Sequence, residues 1–160
     1  MSFRLYLIYS LFPLTFSALG QEIICDTNRP LERIRNEQRL KEDLACLAEH
    51  PDDAILMREV GMTYNVLGMP DRRDYLEEAE KYLTRAQEKS PHDATTIVWL
   101  GSTYALKARN PDLRYLERMN LAKKGLDMMN QGVALDPTDY RLRLLRGGAY
   151  IMVPAPLSND

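Results

Sequence analysis

The sequence predicts an all-α fold of repeated helical hairpins, and three observations support it. First, Pro51, Pro91 and Pro137 each precede an Asp by two residues (Asp53, Asp93, Asp139), a Gly by ten (Gly61, Gly101, Gly147) and a Tyr by thirteen (Tyr64, Tyr104, Tyr150). Second, the triples Ala79, Leu83, Ala86 and Gly125, Met129, Gly132 share a spacing of four then three, each ending five residues before the next of these prolines. Third, Leu40, Leu44 and Leu47 form an apolar stripe at helical intervals upstream of the repeats. Self-similarity at fixed offsets is the mark of stacked supersecondary units.

The first 20 residues read as a signal peptide. Arg4 and the α-amine give a small positive region, and an uncharged apolar run from Leu5 to Phe16 follows. Ala18 and Gly20 then stand two apart before Gln21, as small residues at a cleavage site do. The alternative is an uncleaved anchor. The run is shorter than the roughly 20 residues that span a bilayer, and Pro13 interrupts it. No later segment is apolar enough to span. Residues 21–29 form a mature N-terminal extension.

Residues 30–49 read as an amphipathic helix with Ile34, Leu40, Leu44 and Leu47 on one face, capping the first open face of the repeats. It bears on Cys25 and Cys46, the two cysteines. A helix running from Pro30 to Cys46 separates its ends by roughly 24 Å, and the link back to Cys25 reaches only about 17 Å. A disulfide therefore requires a later helix start; otherwise Cys46 is a small core residue.

Within residues 50–152 each shared offset has a physical use. Proline cannot continue the ladder of the preceding helix. Asp53, Asp93 and Asp139 are placed to accept hydrogen bonds from the free amides of the next helix. A mid-helix glycine costs about 1 kcal/mol against alanine, so Gly61, Gly101 and Gly147 imply close approach by another helix. The small outer members of Ala79, Leu83, Ala86 and of Gly125, Met129, Gly132 suit the other side of such a seam. Residues 153–160 form a tail in which Pro154 and Pro156 oppose helix formation.

This arrangement resembles the tetratricopeptide repeat family: Gly and Tyr on a first helix, a small-large-small seam on a second, then Pro. The resemblance implies a superhelical solenoid of about two and a half repeats plus the N-terminal capping helix. Successive prolines lie 40 and 46 residues apart, against a family period of about 34. The extra residues, which begin at Pro70 and Pro111, read as N-terminal extensions of the second helices. The third unit carries Arg143 and Arg146 where the family is apolar, and no second helix follows it. That leaves an open C-terminal face, for self-association, for a partner, or for the rest of a longer protein.

The chemical inventory is sparse. His50 and His92 fall in successive turns, and no phosphate loop, nucleophile elbow or paired cysteine motif appears. Catalysis, a metal site and a cofactor are therefore not expected. The net charge of −2 gives no overall field to hold nucleic acid. The resemblance implies instead a concave groove lined by first-helix positions. These are Ile55, Arg58, Met62, Asn65 and Val66, then Thr95, Val98, Ser102, Ala105 and Leu106, then Arg141, Leu144, Gly148 and Ile151. Arg143 and Arg146 either contact an anion or pair with acids such as Glu117 and Asp127. Trp99 is either a groove anchor or packing between hairpins. The function expected is an exported, periplasmic or extracellular scaffold binding a protein or peptide. The alternatives are a binding protein for a small anionic or apolar ligand, and a structural subunit of an envelope complex.

Overall fold

The computed structural model describes residues 37–69 and 72–152. Residues 1–36, on which the expected signal peptide, the extension with Cys25 and the expected start of the capping helix with Ile34 fall, lie outside the described residues, as do residues 153–160. Within them the fold is all-α: α1 (Glu37–Glu49), α2 (Ala54–Leu67), α3 (Arg73–Lys89), α4 (Ala94–Lys107), α5 (Tyr115–Leu135) and α6 (Tyr140–Met152).

Each predicted aspartate caps its helix. Asp53 Oδ1 accepts from the amides of Ile55 and Leu56 at 2.8 and 3.1 Å. Asp93 Oδ2 accepts from the Thr96 amide at 3.2 Å, and Asp139 Oδ1 from the Arg141 amide at 2.9 Å. These bonds satisfy donors that the first turn of a helix leaves free.

Helices α2 and α3 run antiparallel. A Cβ on Gly61 would meet Leu83 Cγ at 2.6 Å, and one on Gly68 would meet Leu76 Cδ2 at 2.6 Å, so partners fall in number as the glycines rise. Helices α4 and α5 pair the same way and more tightly. A Cβ on Gly101 would lie 2.6 Å from the Gly125 carbonyl oxygen, and one on Gly132 would lie 2.5 Å from Val98 Cγ2. Backbone thus meets backbone across this seam. Ala79, Leu83, Ala86 and Met129 are fully buried within these pairings.

Between hairpins, α3 packs on α4 and α5 on α6, while α2 contacts α4 and α4 contacts α6. The first helices of the three units therefore lie in sequence beside one another. Leu40, Cys46 and Leu47 of α1 close one end, clustering with Leu56, Met57, Val60 and Ala86. Trp99 packs with Met62, Leu83, Leu100 and Tyr104, so it fills the space between hairpins.

Two expectations need correction. The extra residues do not all extend the second helices. α3 begins at Arg73 and α5 only at Tyr115, leaving residues 108–114 outside any helix. Even so, α5 has 21 residues against 14 in α4, an overhang of about 10 Å. Gly147 also departs from the close-approach rule, since a Cβ there would meet nothing within 4 Å among the described residues. No described helix follows α6 to fill the position that α3 and α5 fill beside α2 and α4.

Candidate functional site

The predicted groove residues separate into buried and accessible groups. Met62, Asn65 and Val98 are buried, with 1% exposure or less, and so do not present the surface expected of them, while Ser102, at 6%, keeps only a small exposed part at the wall of a cleft. Packing of each first helix on the next explains it. Met62 joins the α3–α4 cluster, and Val98 joins Met129, Val133 and Leu142. Asn65 Nδ2 donates to Thr103 Oγ1 across α2 and α4 at 2.8 Å, and that hydroxyl donates to the Trp99 carbonyl at 3.0 Å. Such a buried polar bridge fixes the register of the two helices.

Arg58 is likewise committed. Its guanidinium donates to Asp93 Oδ2 at 3.1 Å and lies 3.4 Å from Glu59 Oε1. Burial would raise the Asp93 pKa, but hydrogen bonds from Thr96 and the charge and hydrogen bond of Arg58 outweigh it, holding the carboxyl below its ordinary value. Arg39 on α1 lies 2.7 Å from Asp43 and 3.8 Å from Glu59. A chain of alternating charge, buried at Arg39, Asp43 and Glu59 and half-buried at Arg58 and Asp93, therefore ties α1, α2 and the start of α4.

Arg141 is held by its own cap, with Nη2 2.7 Å from Asp139 Oδ2. Neither Arg143 nor Arg146 pairs with the acids expected. Glu117 accepts from the backbone amide and guanidinium of Arg114, and Asp127 pairs with Lys123 at 3.1 Å. Arg146 instead donates to Asn130 Oδ1 at 3.4 Å.

Ser102, Ala105, Leu106, Leu144 and Gly148 do converge. With Met69, Leu145 and Ala149 they line an apolar cleft of about 230 Å³ between α4 and α6, with the Arg109 side chain also at its wall. Leu144 is 68% exposed at its rim and Ile151 87% exposed beyond it. Ile55 is exposed at the other end, on α2, while Thr95 and Val66 are half-buried.

Sequence reasoning missed a second, larger cavity of about 490 Å³ on the other side of the end of α4. Arg73, Leu76, Glu77, Leu106, Lys107 and Leu121 are among its walls, and Pro111 and Leu113 of the turns before α5 complete it. The doubled insertion was its signal. Lys107 donates to Glu77 at 2.7 Å and also to Glu80, which accepts from Tyr104 Oη at 2.9 Å. The acidic stretch around Glu77 is thus not a simple solvated face, because Glu80 and Lys107 are half-buried. Burial opposes the charge on Glu80, but hydrogen bonds from Lys107 and Tyr104 lower its pKa. Burial and the adjacent Glu80 raise that of Tyr104.

His50 and His92 are exposed in separate turns. Among the described residues no group of three or more His, Cys, Asp or Glu is arranged to hold a metal, and no helix is long and apolar enough to cross a membrane. Cys46 is buried and disulfide-bonded; Cys25, the other cysteine of the sequence, lies outside the described residues. No protein-family model matches the chain, and neither a curated protein nor a solved structure matches it.

Proposed function

We propose that this chain is an exported, non-catalytic scaffold of tetratricopeptide-like architecture that binds a protein or peptide segment in the groove of its first helices. The single observation carrying this reading is the apolar cleft where Ser102, Leu106, Leu144 and Gly148 meet. Its volume of about 230 Å³ falls below the roughly 300–1,000 Å³ typical of small-molecule sites. It suits one or two apolar side chains of a peptide whose remaining length runs along α2, α4 and α6. The side-by-side order of those three helices supports the solenoid reading, as do the glycine seams of both hairpins. Export is supported by the leader-like first 20 residues and by the disulfide at Cys46, a bond that persists in oxidising compartments.

The test is a photocrosslinking residue at Leu144, compared with one at Glu88 on the exposed face of α3, in envelope extract. A saturable adduct is expected from position 144 and none from position 88. Equal, unsaturable labelling at both sites, or none at either, rejects the reading.

The larger cavity favours a second reading, a small-ligand binding protein, since about 490 Å³ lies within the usual range. The anionic version is weakened because Arg58 and Arg141 already carry carboxylate partners. A small-molecule thermal-shift screen separates the readings. A ligand at 100 times its Kd adds about 2.7 kcal/mol of stability, and a flat screen eliminates this alternative.

A further inference from the structure

The face of α6 that bears Gly147 lies apart from the groove and has a different chemistry. The repeat offsets place Gly147 in register with Gly61 and Gly101, each of which admits a following helix so closely that a Cβ would meet it at 2.6 Å. Around those two glycines the flanking positions are buried and apolar: Met57 and Val60 on α2, Ile97 and Leu100 on α4. In α6 the same two positions are Arg143 and Arg146. Arg143 is exposed, and neither arginine has a carboxylate partner among the described residues. A Cβ on Gly147 meets nothing, so its helical cost of about 1 kcal/mol brings no packing gain within the described fold.

We propose that this face docks an acidic amphipathic helix from another protein, with a small residue set against Gly147 and carboxylates facing Arg143 and Arg146. The charge decides the occupant. A helix presenting an apolar and small-residue face, as α3 does with Leu76, Ala79, Leu83 and Ala86 and α5 with Ala122, Gly125, Leu126 and Met129, would bury two guanidinium groups with no carboxylate opposite them, which is costly. A second copy docking α6 on α6 would set each pair of arginines against its own image. A helix with Asp or Glu three or four residues to either side of Gly, Ala or Ser meets both demands, because those positions share its face. Arginine and carboxylate also form paired hydrogen bonds of fixed geometry. The flat opening at Gly147 lets the two backbones approach, as they do at Gly101 and Gly125.

The experiment is a displayed library of helical peptides carrying a fixed central Ala, randomised three and four residues to either side, selected on the intact chain. Asp or Glu is expected to be enriched at those positions. The double variant R143E/R146E should weaken the selected peptides on the order of tenfold, and should itself select Lys or Arg. Gly147→Leu, at a position open enough to leave folding intact, should also weaken them, whereas Leu144→Asp in the groove should not. The proposal is overturned by enrichment of uncharged helices that R143E/R146E binds equally well, or by no enrichment at all. Loss of binding in Leu144→Asp but not in R143E/R146E would assign the peptides to the groove and overturn it too. So would competition by a synthetic Val153–Asp160 peptide, or a dimer in light scattering that Gly147→Leu breaks, because the tail or a second copy would then be the occupant.

Discussion

A methyl group added at Gly101 tests the helix seam at its tightest point. The new Cβ would lie 2.6 Å from the Gly125 carbonyl oxygen, 2.9 Å from Met129 Cγ and 3.0 Å from Met129 N. Two of those atoms are backbone, so no rotamer change relieves them and the helices must part. Reaching an ordinary contact of 3.4 Å from 2.6 Å needs a shift of roughly 0.8 Å, enough to forfeit a quarter or more of the dispersion between the facing atoms. Overpacking of this kind costs about 1–3 kcal/mol, against which alanine returns about 1 kcal/mol of helix propensity. Because the facing atoms are backbone, the upper part of that range applies, and Gly101→Ala should lose about 1–2 kcal/mol, lowering Tm by several degrees, on the order of 3–8 °C. The same change at Gly147, where a Cβ meets nothing within 4 Å among the described residues, should gain up to about 1 kcal/mol. Urea denaturation and calorimetry on the two variants side by side measure the contrast. A Gly101→Ala protein as stable as the parent, or a Gly147→Ala protein less stable, refutes the close-approach argument at that seam.

Asp93→Ala should cost more than Asp53→Ala, because Asp93 caps α4 and also neutralises Arg58, whereas Asp53 provides only its cap bonds. Cap loss alone costs about 1 kcal/mol, so equal urea midpoints for the two variants would show that the Arg58 pair contributes nothing. Stability should also fall in acid. Glu80 and Asp93 have folded pKa values held below their ordinary ones, so their contribution is present above the ordinary carboxylate range, near pH 4. It is then lost as pH falls through the lowered values, because the unfolded chain binds protons first. Urea midpoints between pH 6 and pH 2 should show the drop, and Glu80→Gln should flatten it; an unchanged profile in that variant removes Glu80 as a cause.

Local rules were enough to read the helices from the sequence. Proline, capping aspartate and mid-helix glycine act through the backbone of their own segment, and each of Asp53, Asp93 and Asp139 caps where its offset from proline says it should. The seam glycines Gly61 and Gly101 were legible because an expensive residue inside a helix implies a neighbour. The groove was only partly legible. Ser102, Leu106 and Leu144 do meet at one cleft, yet Met62 and Val98 vanish into the packing between successive hairpins. Helical spacing gives the direction of a side chain, but not how closely the next helix covers it.

What the sequence by itself determined was the helical class, the caps and the pairing faces, since these follow from residue type and spacing along one segment. Only the tertiary structure decided that Asn65 bridges to Thr103, that Arg58 is taken by Asp93, and that the turns before α5 open a cavity beside Lys107. It also decided that Gly147 stands open among the described residues while its two counterparts are filled. Those outcomes depend on residues 35 or more positions apart, or on the presence of a neighbouring helix, and they are set by how hairpins stack rather than by the preferences of any single turn.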